Sequence, residues 1–386
     1  IHHIFTPIEE IIKNKYMVPF IYKYIPDLLS TVFKCASLTF IDDCITEQSD
    51  SSYIYGILDF IQIDKEEGNA LFSVFSQLFS NSSIQVSFSS LLAFQFFIDN
   101  YPHIVTNNLK QIVSFLIEQS TITNHHCLCE QSMICIHYLI NVVNGGLIGY
   151  SDSLLQAIIN AISVDHDQLV IEGLTALSEF FRTLDFDHSL ISNILNLLIS
   201  KIRKSPEIMN GCISALNAII LVSGSDISPF ATQLAPLFFE IIQMSENRNP
   251  QMKSYASESI AGLLKNAPAE MSEFLGQSMQ LMIQLITTSE DPSDLDSAIS
   301  VFLILADSQI PQITSTLQIA MEKSIRMLQI ECPAISINEN DVESSLDPVY
   351  SAKQTAMKFI NSFVIAHPES FASCAEPITN LLITHI

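Results

Sequence analysis

The residues best equipped for chemistry are His125, His126, Cys127 and Cys129, followed by Cys135 and His137. Thiolate and imidazole are the ligands that zinc prefers. Their spacing argues against a metal site. Cys127 and Cys129 stand two apart on a predicted helix and so point to different sides. No CxxC or CxxxxC pair occurs, and Cys135 falls at a position reserved for small residues in the repeat described below. Buried small cysteines and surface histidines are therefore expected here, with no metal. His103, His166, His188 and His367 sit near turns and read as caps or surface residues. Ser, His and Asp are scattered without a G-x-S-x-G elbow, and the ten glycines form neither GxGxxG nor GxxxxGK[ST]. No enzyme and no cofactor is predicted.

The elements that carry these residues are helices almost throughout, because apolar residues recur with helical rather than alternating period. Pro102, Pro206, Pro250 and Pro292 mark helix starts, where a missing N–H costs little. Asp165, Ser205 and Asp291 stand ready to cap exposed amides. The helices come in pairs, and the first member repeats a pattern of small-x-x-small-bulky. It is carried by Ser90/Ala93/Phe94, Ser132/Cys135/Ile136, Gly173/Ala176/Leu177 and Cys212/Ala215/Leu216. It returns at Ala256/Ser259/Ile260, Ala298/Val301/Phe302 and Thr355/Lys358/Phe359. The leading positions are separated by 42, 41, 39, 44, 42 and 57 residues, the last being one unit plus an insertion. A helical-hairpin period near 40 lies in the HEAT and armadillo range. Small residues let helices approach while the bulky one fills the seam with the next repeat. Second helices place Phe and Pro six apart, at Phe20/Pro26, Phe230/Pro236 and Phe371/Pro377, with Phe274 in a fourth copy lacking the proline. Such a proline predicts a bend separating a short entry segment from the main inner helix.

Charge is distributed unevenly over this frame. Lys plus Arg is 17 and Asp plus Glu is 41, a formal net charge of −24, yet charged residues are only 15% of the chain. A pI near 4.6 argues against sequence-independent nucleic-acid binding and favours a basic partner. Two acidic segments interrupt the period. Residues 40–67 carry eight acids against Lys65, and residues 331–347 carry Glu331, Glu339, Asp341, Glu343 and Asp347 with no base. A third acidic group, Glu290 to Asp296, opens a helix, where the macrodipole favours negative charge. Eight cysteines form no disulfide framework and suggest a reducing compartment. No stretch approaches the ~18 apolar residues of a membrane span. The start at Ile1 without Met, and without a signal-peptide pattern, predicts a segment of a longer protein.

The small-residue outer helices, followed by inner helices of the Phe…Pro type, resemble the importin-β (karyopherin) superfamily of HEAT-repeat transport receptors. Residues 354–382 carry the likeness most fully, and Asn249–Ala256 is similar to the D-x-x-V-R-x-x-A opening of a HEAT unit. The Asp/Arg ladder usual in HEAT repeats is mostly missing. The resemblance implies an all-α, right-handed α-solenoid of about eight or nine antiparallel helix pairs, with residues 1–386 forming a single segment. It also implies a nuclear transport receptor that wraps basic cargo proteins with an acidic concave surface and shuttles between cytoplasm and nucleus. Ran GTPase and phenylalanine-glycine nucleoporins would be partners of the full-length protein. Neither nucleic acid nor membrane insertion is implied. The candidate cargo-facing acids are Glu118, Glu240, Glu273 and Glu322 on inner helices, with Glu339, Asp341 and Glu343 on the insertion. The alternative is a HEAT scaffold subunit of a phosphatase, a ubiquitin-ligase regulator or a chromosome-organising complex, which would share the fold.

Overall fold

The computed structural model describes residues 101–330, except 123, 124, 246–249 and 290, and residues 348–371, with single positions between 72 and 98 and Ala375. Both acidic interruptions, Pro26 and Pro377 lie outside the described residues. Helix starts follow the prolines. Pro102, Pro206, Pro250 and Pro292 each open a helix, as do Pro311 and Pro348. In chain order the helices are α1 (Pro102–Asn107), α2 (Leu109–Ser120), α3 (His126–Val143), α4 (Ser151–Ser163), α5 (Asp167–Thr183), α6 (Ile191–Lys201) and α7 (Pro206–Val222). They continue with α8 (Ser228–Ser245), α9 (Pro250–Asn266), α10 (Leu275–Thr288), α11 (Pro292–Ile304), α12 (Pro311–Gln329) and α13 (Pro348–Ala366). No strand occurs among the described residues.

Two of the three expected caps form. Asp291 accepts from the Ser293 amide at 2.8 Å, and Ser205 Oγ accepts from the Ile208 amide at 3.2 Å. The third does not: the cap of α5 is His166, whose ring accepts from Leu169 N–H, while Asp165 turns outward to Lys204 at 2.6 Å. The entry segment before an inner helix is also built differently from the expected proline bend. Pro236 lies inside a continuous α8. The segment that precedes the helix is a 3-10 turn, at Gly224–Ile227 here and at Asn144–Tyr150, His188–Leu190 and Glu270–Phe274 in three other repeats. A 3-10 segment of this kind satisfies its amides locally through i→i+3 hydrogen bonds.

The chain divides into two compact units, Ile1–Ala218 and Ile219–Ile386. In the first, motif helices α3 and α5 pack side by side, α2 packs on α4, and α3 and α5 each sit on the helix before them. In the second, α9, α11 and α13 form the motif row, α10 packs on α12, and α9 and α13 lie against α8 and α12. Besides packing on the neighbouring motif helices, these helices lie more closely against the helix that precedes them than against the one that follows. Gly173 shows why. A Cβ there would meet Ile162 at 3.0 Å and Ala161 at 3.4 Å, so a larger side chain would push α5 off α4.

The small and bulky motif positions are buried in almost every copy: Ser132, Cys135, Ile136, Ala176, Leu177, Cys212, Ala215, Leu216, Ala256, Ser259, Ile260, Ala298, Val301 and Phe302. The last copy is out by one residue. Lys358 is exposed and Thr355 half-buried, whereas Ala352, Ala356, Phe359 and Ile360 are buried, so the inward face runs through Ala356 rather than Thr355. Phenylalanines complete the core. Phe79 stacks on Phe115 at 4.2 Å and meets Phe94 edge-on; Phe97, Phe302, Phe359 and Phe363 are equally enclosed. Each such ring contributes roughly 1.5–3 kcal/mol by leaving water.

Candidate partner-binding surface

Four of the candidate acids lie on described residues, and all four are exposed. Glu118 is in α2 of the first unit; Glu240 in α8 and Glu322 in α12 belong to the second. Glu273 differs from expectation, since it sits in the 3-10 turn Glu270–Phe274 that leads into α10 rather than on the inner helix itself. Glu339, Asp341 and Glu343 fall outside the described residues.

The exposed position of Glu118, Glu240 and Glu322 follows from helix periodicity. Ile112, Val113, Phe115 and Leu116 bury one face of α2, which turns Glu118 outward. Met321 and Ser324 do the same on either side of Glu322.

Several cations are engaged elsewhere, joining residues about one repeat apart. Lys204 binds Asp165 at 2.6 Å and Asp167 at 2.8 Å. That hydrogen bond and charge hold the Asp165 carboxyl below its ordinary range and raise the Lys204 ammonium. Lys201 donates to the Val164 carbonyl at 3.1 Å. Arg182 pairs with Glu179 at 3.2 Å and donates to Ser214 Oγ at 3.3 Å. Lys265 reaches Asp307 at 3.0 Å. Neutral groups span the same interval: Gln131 donates to Gln95, Cys135 Sγ to the Leu91 carbonyl, and Asn266 to the Ile220 carbonyl. This is the ladder between repeats, assembled from varied residues in place of a uniform Asp/Arg pair.

The packing of α2 on α4 leaves a shallow groove of about 390 Å³ lined by Ile117, Thr121, Asp152, Ser153, Gln156, Ala157 and Asn160. Gln156 donates to Asn160 at 2.9 Å. Its polar wall was legible as Asp152, Gln156 and Asn160, a stripe at i, i+4 and i+8 on one helix face, but sequence reasoning weighted charge and passed over the amides.

The His/Cys cluster is distributed as its spacing predicted in one respect and not in another. Cys129 is buried, donates towards the Ile122 carbonyl at 3.3 Å, and burial pushes its thiol up to about 11. Burial pushes Cys212 up to about 12. Such thiols are packing groups, since the reactive form is the thiolate. Among the described residues no group of three His, Cys, Asp or Glu side chains is arranged to hold a metal ion. The histidines are not simply surface residues. His137 is half-buried, and burial lowers its basicity, partly opposed by Glu179. His367 is buried with Nε2 unpartnered. His126 stacks on His166, with ring centres 4.3 Å apart. Their separation of 40 residues in sequence is the repeat period itself, a signal that inspection of the local His-His-Cys run could not supply.

Against known structures, the chain matches yeast importin-β (Kap95p) with a TM-score of 0.59 at 13% identity, over 92% of this chain and 49% of that one. Importin-β crystallised in a polyethylene glycol condition gives 0.57 at 10% identity, covering 94% and 57%. The fold is that of importin-β. An engineered protein shares it, with a TM-score of 0.54 at 11% identity over 97% and 88%. This chain spans about half the length of the importin-β chains that it matches. No family model and no curated protein matches the sequence. At these identities the likeness establishes the importin-β type of helical-repeat fold, and function has to be argued from the surface. No helix among the described residues is long and apolar enough to cross a membrane.

Proposed function

We propose that this chain is a segment of a nuclear transport receptor that binds basic protein cargo through acids exposed on its inner-helix side. The observation that supports this reading most is the division of charge. Lys204, Lys265 and Arg182 are engaged with acids in or between repeats, while Glu118, Glu240, Glu273 and Glu322 are exposed in a chain of net charge −24. Within the second unit, Glu240, Glu273 and Glu322 on successive helical elements would offer several contacts to an extended basic segment, and Glu118 would offer one in the first. Glu339, Asp341 and Glu343 would extend the acidic surface on the insertion. The groove between α2 and α4 carries Asp152, Gln156 and Asn160, able to hydrogen-bond the backbone of a bound peptide. Ran GTPase and phenylalanine-glycine nucleoporins would engage the full-length receptor. Each exposed ion pair is worth about 0.2–1 kcal/mol, so affinity must come from several together and must fall with salt.

The test is a salt titration against a classical nuclear-localisation peptide or a histone tail, read by fluorescence anisotropy. The reading expects binding near 50 mM salt that weakens several-fold by about 300 mM as screening sets in. Absence of binding at low salt would overturn it. A HEAT scaffold shares the fold and has no such requirement for basic peptides.

A further inference from the structure

Two side-chain amides in the groove between α2 and α4 are held in a defined orientation. Gln156 Nε2 donates to Asn160 Oδ1 at 2.9 Å. That bond leaves Gln156 Oε1 as an acceptor and Asn160 Nδ2 as a donor, and both side chains are exposed. No other hydrogen bond engages either amide among the described residues. Asp152, one turn earlier on the same face of α4, lines the same groove. It too is exposed, and it has no ion pair among the described residues. Ile117 of α2, half-buried, and Ala157 of α4, buried, supply apolar surface beside the polar wall.

We propose that this groove grips the main chain of an extended basic peptide in one register. The Gln156–Asn160 pair binds the N–H and C=O of one peptide residue, and Asp152 binds a Lys or Arg side chain about two residues away. This rests on the reading of the chain as a receptor for basic segments, and it gives that reading a register in the first unit.

The chemistry of the wall selects an extended occupant. A helix bonds its own amides and carbonyls, whereas an extended chain presents an unpaired N–H and C=O at each residue. One donor and one acceptor side by side match that pair of groups. The spacing agrees. Asp152 and Gln156 are four residues apart, about 6 Å along α4 at 1.5 Å per residue. Two residues of extended chain cover about 6.6 Å. The methylenes of the Lys or Arg lie over Ile117 and Ala157 while its charged end reaches Asp152. Because Gln156 and Asn160 already hold each other, they lose less freedom on binding than two unrestrained amides would.

The experiment uses the whole chain and a fluorescent basic peptide of non-repeating sequence at low salt, made as a series with one backbone N-methyl group moved along it. Expected are one or two positions at which methylation weakens binding about two- to ten-fold, the size of a neutral hydrogen bond. In the double variant Gln156→Ala, Asn160→Ala that penalty disappears, and the unmethylated peptide binds more weakly by a similar factor. Both sites are exposed, so the fold is retained. In Asp152→Asn the methylation penalty stays, while replacing the Lys two residues from the sensitive position by norleucine ceases to matter. The proposal is overturned if a bound peptide shows no sensitive position, or if the double variant repeats the wild-type scan; either result leaves the receptor reading standing. If the wild-type chain binds no basic peptide at low salt, the receptor reading fails and the register falls with it.

Discussion

The motif helices and the inner-helix faces obey different rules. On α3, α5, α9 and α11 the inward positions are small or bulky at a fixed spacing and are buried in copy after copy, from Ser132/Cys135/Ile136 to Ala298/Val301/Phe302. The exposed acids follow no such period. Glu118 and Glu322 are on helices, and Glu273 is in a 3-10 turn. Close packing tolerates little change in volume, so the stacking face constrains residue size at each position. An exposed carboxylate makes its contribution through charge, which several neighbouring positions can supply equally. Architecture is therefore written position by position, while the proposed affinity for a basic partner would rest on a regional surplus of charge.

If that distinction holds, substitutions on the stacking face should unfold the chain and those outside it should not. The largest effect is expected for Phe302→Ala, which empties a fully buried site in the motif helix packed on α9 and α13. A loss of about 3–5 kcal/mol in chemical denaturation is expected. Next comes Gly262→Val, where even a Cβ would approach Ile220 Cγ2 at 2.8 Å and Leu221 Cδ2 at 3.2 Å. Overpacking should cost about 1–3 kcal/mol, and a neutral result would show that the α7–α9 contact can relax. Asp291→Ala removes an exposed cap whose carboxylate accepts from Ser293, and about 1 kcal/mol should be lost. The smallest effect belongs to the exposed clamp on Lys204. The Asp165 carboxyl is held below its ordinary value of 3.8 by that lysine, so its contribution is complete above that value and disappears as pH falls through the lowered one. Lys204→Met should remove this acid-side dependence by slightly lowering stability at neutral pH while leaving the acid-side value unchanged, as acid titration of the two proteins would show.

The stacking face was the most legible part because size and periodicity are local properties of a sequence. Gly173, Ala176 and Leu177 announce an inward face without knowledge of any neighbour. The shift of one residue at Ala356 escaped because Phe359 anchors either alignment, and only burial separates Thr355 from Ala356. The proline bend was misplaced for a related reason. Pro236 removes one amide from α8, yet the helix continues past it, and the reorientation occurs earlier in a 3-10 turn whose residues share no obvious motif. Ladder contacts such as Lys204 to Asp165 and His126 to His166 depend on pairing residues about 40 apart. They become visible only when the chain is folded onto its own repeat. Glu118, Glu240 and Glu322 are exposed because helix phase sends them outward.

The central claim is that exposed acids on the inner-helix side bind a basic partner while the buried face holds the fold. Its most direct test is a comparison of the wild-type chain with the triple variant Glu240→Lys, Glu273→Lys, Glu322→Lys, using one lysine- and arginine-rich peptide at low salt. The account predicts a peptide Kd weakened about ten-fold or more, from the loss of several pairs and added repulsion. It also predicts an unchanged fold, since each exposed substitution should fall within about 0.5 kcal/mol. An unaltered Kd in a folded variant would contradict it.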